Sequence, residues 1–130
     1  MSKALKDDYI SYRINLAKET LQAARVLAET GHWNSVINRL YYACFYAISA
    51  LLYKNDINAT THSGLKHQFS QHFILTEKID KDLGKVFAQI FDLRQKADYG
   101  DFYNLDQEKT MPFFEPVERL LNKIENLLTE

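Results

Sequence analysis

The sequence predicts an all-α protein: an antiparallel, up-and-down bundle of four long helices and one short one. Three observations predict it. Four glycines and two prolines in 130 residues leave few breaks. Apolar residues recur at helical spacing in one segment after another, and no strand-like alternation persists anywhere. The first turn between helices is so short that the two helices it joins must be antiparallel neighbours.

The first helix is expected from about Asp7, whose carboxylate and that of Asp8 suit a helix N-terminus. Ile10, Ile14, Ala17, Leu21, Ala24 and Ala28 follow as a narrow seam, and Gly31 is the residue expected just past the C-terminus. The second helix, from about His32 to Lys54, is the centre of the bundle. On a wheel of about 100° per residue, Trp33, Val36, Ile37, Leu40, Cys44, Ile48 and Leu51 make one apolar stripe, which Tyr41, Phe45 and Leu52 widen. Ala43, Ala47 and Ala50 form a strip of small residues. The remaining arc carries Ser35, Asn38, Arg39, Tyr42, Tyr46, Ser49 and Tyr53, aromatic but bearing hydroxyls that need partners when buried. That arc either packs internally with its tips in water or faces a second subunit or a polar site. After the loop 55–61 a short helix is expected over Ser63–Phe73, with Thr61 or Ser63 as its cap. The fourth runs from about Asp80 to Ala97, with Leu83, Val86, Phe87, Ile90 and Phe91 on one face. A long irregular connection precedes the last helix, Phe113–Leu128, whose start is expected near Thr110 unless Pro116 kinks it.

At this length the chain is one domain with a real core. A net charge of −1 gives no global electrostatic case for nucleic acid. No apolar run approaches the roughly 20 residues of a membrane span, and the N-terminus lacks a signal-peptide core, so a cytoplasmic protein without a membrane partner is expected. Cys44 is the sole cysteine, which excludes an internal disulfide.

Arg94 is the most informative residue. It falls in the middle of the apolar face of the fourth helix, where a charge costs several kcal/mol unless paired. Asp98, four residues on, lies on the same side and supplies a carboxylate. Arg94 is therefore either a structural ion pair or the fork of a phosphate site. His62 precedes Ser63-Gly64 at a helix start, where backbone amides hold anions. His62, His67 and His72 are five apart, which rotates each about 140° from the last, so they do not converge on a metal; no metal or cofactor is expected. Walker, dinucleotide and nucleophile-elbow motifs are absent.

Three runs, Asn38-Arg39-x-Tyr41-Tyr42-Ala43-x-Phe45, Thr61-His62-Ser63-Gly64 and Leu93-Arg94-Gln95-Lys96-Ala97-Asp98-Tyr99, together resemble HEPN-domain proteins, most closely the small stand-alone prokaryotic branch. The resemblance implies a helical bundle, usually a homodimer, often paired with a nucleotidyltransferase as in toxin–antitoxin systems, with some members acting as ribonucleases. Their signature is an arginine followed after four to six residues by a histidine. Arg94 matches the arginine, but Tyr99, Gly100 and Asp101 stand where the histidine would fall. The resemblance thus carries Arg94 over as a ligand-binding or structural residue, with Asp98 and Tyr99 as companions; His62, Arg39 and Tyr42 are further candidate ligand contacts.

Three functions are open at this point. The first is a dimeric binding module for RNA or a nucleotide, paired with a nucleotidyltransferase. The second is an unconventional ribonuclease in which His62 replaces the missing histidine. The third is a dimer whose role is purely protein–protein.

Overall fold

The computed structural model describes residues 2–100 and 103–130. Six α-helices follow one another, and no strand occurs among the described residues: α1 (Lys3–Glu29), α2 (Trp33–Lys54), α3 (His62–Phe69), α4 (Lys81–Tyr99), α5 (Gln107–Thr110) and α6 (Phe114–Leu128). The all-α class is the one the sequence predicts, and side-chain contacts between helices give its directions. Lys6 meets Asp56, Tyr9 meets Tyr53 and Arg13 meets Tyr46, so α1 and α2 run antiparallel. Asn38 meets Asp98 and Tyr41 meets Arg94 and Phe87, so α2 and α4 do too. Lys18 pairs with Glu125 and Arg25 with Glu118, which sets α6 antiparallel to α1. These four helices are the bundle, and α2 packs on the other three.

Local chemistry corrects several expected boundaries. The first helix begins a turn earlier than Asp7, because Ser2 Oγ accepts the amide of Leu5 at 3.2 Å and caps it. Gly31 adopts φ +75, the left-handed conformation that ends α1 and turns the chain into α2. Thr61, not Ser63, caps the short helix, its Oγ1 accepting from the Gly64 amide at 2.9 Å. The segment expected as one helix over Ser63–Phe73 divides into α3 and a π-helical turn, Ser70–Ile74. The connection after Gly100, read as irregular, contains α5, capped by Asp106, and a 3-10 turn, Met111–Phe113. This places Pro116 third in α6, within its first turn, where a missing N–H is tolerated.

Val36, Ile37, Leu40, Ala43, Cys44, Ala47 and Ile48 of α2 are all fully buried, and α6 adds Val117, Leu120 and Ile124. Each large aliphatic side chain so buried contributes roughly 1.5–3 kcal/mol. One expectation about α2 needs qualifying: by length and composition it is apolar enough to cross a membrane, but most of it is spent inside the bundle. Lys54 closes the far end by donating to the carbonyls of Leu127, Leu128 and Glu130, a cation at the negative end of α6.

Candidate functional site

The candidate site lies where α2, α3 and α4 meet, and the loop 55–61 is what creates it. From Tyr41 to the end of α2 is roughly 20 Å of helix, and a loop of this length spans at most roughly 25 Å when extended. The chain therefore has just enough reach to run back along α2 before α3 starts. Asp56 at φ 58 makes the reversal, Lys6 pairs with its carboxylate at 2.6 Å, and the Ile57 amide donates to Leu52 O at 2.9 Å. His62, the first residue of α3, arrives against the middle of α2.

Tyr41 is the hub. Its side chain is 0% exposed, and its hydroxyl lies 2.7 Å from Nδ1 of His62. The Arg94 guanidinium carbon lies 4.4 Å from the Tyr41 ring centroid. Phe87 stacks on Tyr41 at 5.8 Å and Phe91 meets it edge-on at 5.9 Å. Phe45 lies 4.8 Å and Tyr42 5.9 Å from the His62 ring. Burial raises the Tyr41 phenol above its ordinary range, with Arg94 pulling the other way, so the hydroxyl keeps its proton. Burial first, and the Arg94 charge second, lower His62, which favours the neutral imidazole.

Arg94 is buried, 5% exposed, as its place on the wheel of α4 requires. Its Nη1 stands 3.6 Å from Asp98 Oδ2, an ion pair longer than a hydrogen bond, and its Nε has no partner among the described residues. Asp98, with a side chain 26% exposed, also accepts from Asn38 Nδ2 at 3.1 Å. The Asn38 oxygen in turn accepts from Nε and Nη2 of Arg39 at 3.1 and 2.8 Å, and Arg39 lies over Tyr42 at 5.2 Å. Two guanidiniums are thus linked through one amide and one carboxylate, with aromatic faces beside both.

Of the candidates named from sequence, Arg94, Asp98, Arg39, Tyr42 and His62 come together here. Tyr99 does not: it is 77% exposed. Gly100 closes α4 by donating its amide to Lys96 O at 2.8 Å, and Asp101 lies outside the described residues. Two residues stood outside the named candidates although the first of the HEPN-like runs contains both. Tyr41 reads as apolar stripe, and only its hydroxyl on a buried face hinted at a partner. Asn38 reads as part of the semi-polar arc, and nothing in the spacing within α2 reveals that it meets α4. The semi-polar arc of α2 is half covered within the chain: Tyr9 packs on Tyr53 at 4.5 Å and Arg13 lies over Tyr46 at 5.7 Å. No group of three or more metal-ligating side chains occurs among the described residues.

The HEPN domain family profile matches residues 10–129. The chain belongs to the HEPN family. Among relatives, this HEPN chain is 34% identical to a UPF0332 protein of Thermotoga maritima over 96% of its own length and 95% of that protein. Two proteins of Methanocaldococcus jannaschii carry the name "Putative toxin". MJ0142 is 30% identical over 88% of this chain and 78% of its own, and MJ0605 is 28% identical over 100% and 96%. The HEPN helical bundle is therefore established for it, and two of its relatives carry a toxin name.

Proposed function

We propose that this chain is a HEPN binding module that works as a homodimer, holds RNA or a nucleotide at the Tyr41–His62–Arg94 corner, and pairs with a nucleotidyltransferase in a cytoplasmic toxin–antitoxin system. The observation that carries the reading is the return of His62 onto the tyrosine that also carries Arg94. It gathers a half-buried imidazole, a buried cation and a more accessible one, Arg39, beside aromatic faces. Phosphate is drawn to such charges, and unpaired bases stack on such rings and guanidinium planes. Arg94 is too buried for broad contact and acts chiefly by its field; Arg39 on Tyr42 is the contact group. The toxin names of two relatives and the half-covered arc of α2 support the pairing and the dimer. Anisotropy of a labelled single-stranded oligoribonucleotide tests the binding: it should rise with protein, fall with salt, and lose most of its amplitude in Arg39→Ala. Sedimentation at micromolar concentration should give twice the chain mass, and a clean monomer refutes the dimer.

A second reading has its own support. Arg94 and His62 sharing Tyr41 supplies in space the histidine that α4 lacks in sequence, which favours a ribonuclease of unconventional geometry. A histidine that polarises or deprotonates a ribose hydroxyl is worth 10²–10⁴-fold in rate. Structured RNA incubated without metal decides between them. Robust cleavage abolished by both Arg94→Ala and His62→Ala supports the nuclease, and feeble or no cleavage with intact binding supports the module.

A further inference from the structure

We infer that Tyr41 donates its hydroxyl proton to Nδ1 of His62 and so holds the imidazole in its Nε2–H form, offering a ligand's phosphate oxygen a hydrogen-bond donor rather than a base. The inference rests on the corner being the ligand site, and it narrows the ligand to a phosphate-bearing one.

The separation of 2.7 Å fits a hydrogen bond in either direction. Burial decides which. Tyr41 is fully buried, and among the described residues its hydroxyl has no hydrogen-bond partner besides His62. If Nδ1–H were the donor, the phenol would accept that bond and its own proton would be enclosed with nothing to receive it. An unpaired buried donor shifts such a balance by on the order of tenfold to a hundredfold. With the phenol as donor, every polar hydrogen in the pair is used. Nδ1 then carries the lone pair, and a neutral imidazole must carry its hydrogen on Nε2.

Nε2 has no partner among the described residues and is not one of their enclosed, unpaired atoms, so it reaches solvent. The corner therefore presents an outward N–H beside a pair of guanidiniums, Arg94 on Tyr41 and Arg39 on Tyr42, linked through Asp98 and Asn38. The division of labour is physical. The guanidiniums supply charge, which is long-range and weakly directional, and the imidazole supplies direction. Tyr41 touches no ligand and is a positioning residue. In this resting form His62 cannot take a proton from a ribose hydroxyl, because its solvent-facing nitrogen already holds one.

The test is nitrogen-15 NMR of the histidine side chains at pH 8, where the ring is neutral. Wild type should show His62 with a protonated Nε2 and a hydrogen-bonded, unprotonated Nδ1. Tyr41→Phe, which keeps the ring stack, should move the Nδ1 resonance to that of a solvated, exchange-averaged imidazole. A protonated Nδ1 in wild type overturns the inference. Inorganic phosphate and a short oligoribonucleotide then probe the donor. His62→Gln retains an N–H near the position of Nε2 but no base, so it should bind both within about threefold of wild type, whereas His62→Ala should lose on the order of tenfold. Equal loss in the two variants overturns the donor role, as does wild type that binds neither probe. Nε2–H His62 that binds phosphate but not the oligoribonucleotide sinks the RNA reading while the inference stands. Oligoribonucleotide binding with a protonated Nδ1 does the reverse.

Discussion

Replacing Arg94 by alanine should destabilise the fold by about 3 kcal/mol, whereas methionine at the same position should leave stability within about 1 kcal/mol of wild type. Arg94 is 5% exposed, so truncation removes buried methylene packing worth about 1.5 kcal/mol. Loss of the cation over the Tyr41 ring, at 4.4 Å, adds about 1–2 kcal/mol. Asp98 is left without its cation, but it is 26% exposed and keeps the Asn38 bond, so that cost is about 1 kcal/mol rather than the full penalty of a stranded buried charge. Against these stands the relief of the unpaired Nε–H, worth about 1 kcal/mol. Methionine refills the methylene space and also removes the cost of burying a charge, which is why its effect should be small. Urea unfolding followed by circular dichroism measures both. With a slope of roughly 1–3 kcal/mol/M, alanine should lower the midpoint by on the order of 1–3 M with the slope unchanged. An alanine variant within about 0.5 kcal/mol of wild type would refute the burial argument. A methionine variant as unstable as alanine would show that the charge itself holds the corner. A stable Arg94→Met protein that no longer binds RNA would mark Arg94 as kept for its charge rather than for packing.

Three further outcomes follow from single features. Cys44 is fully buried and its thiol is pushed up to about 12, so a disulfide reagent at pH 8 should react only as fast as the protein unfolds, and stoichiometrically in urea. Gly31→Ala places a side chain at φ +75 with only ordinary contact to Trp33, so it should cost about 1 kcal/mol in urea unfolding from backbone strain; no change would mean that the α1–α2 turn relaxes freely. His62 is lowered by burial and by Arg94, the charged group of α4 acting on it, while Tyr41 and Tyr42 face it from α2. Because the unfolded chain binds that proton more readily, the stability this site contributes is complete above the unfolded value near 6.5 and is lost as pH falls through the lower folded value. Wild type should therefore lose more stability than His62→Gln between pH 7 and 5, and parallel losses would contradict it.

Much of the scaffold was legible in the sequence because helical periodicity, caps and breakers act over a few residues. The buried seam of α1, the extent of α2 and the turn at Gly31 follow from spacing and one glycine. The burial of Arg94 and its pairing with Asp98 are also local, since both sit on one face of α4 four residues apart. Where local signals competed, boundaries moved: a serine cap advanced α1, and Thr61 outcompeted Ser63. Most members of the site were legible as candidates, Arg94, Asp98, Arg39, Tyr42 and His62 among them, but the contacts that join them were not. Tyr41 looked like core, Asn38 like one residue of a semi-polar arc, and Tyr99 like a companion of Arg94 by family resemblance. Only the path of the loop 55–61, held by Asp56 and Ile57, decided that His62 would lie against Tyr41. Only the antiparallel register of α2 on α4 decided that Asn38 would meet Asp98. Sequence spacing sets which side chains share a face of one helix. Which faces meet depends on the collective packing of the bundle, so the meeting of His62, Tyr41 and Arg94 is a property of the tertiary structure alone.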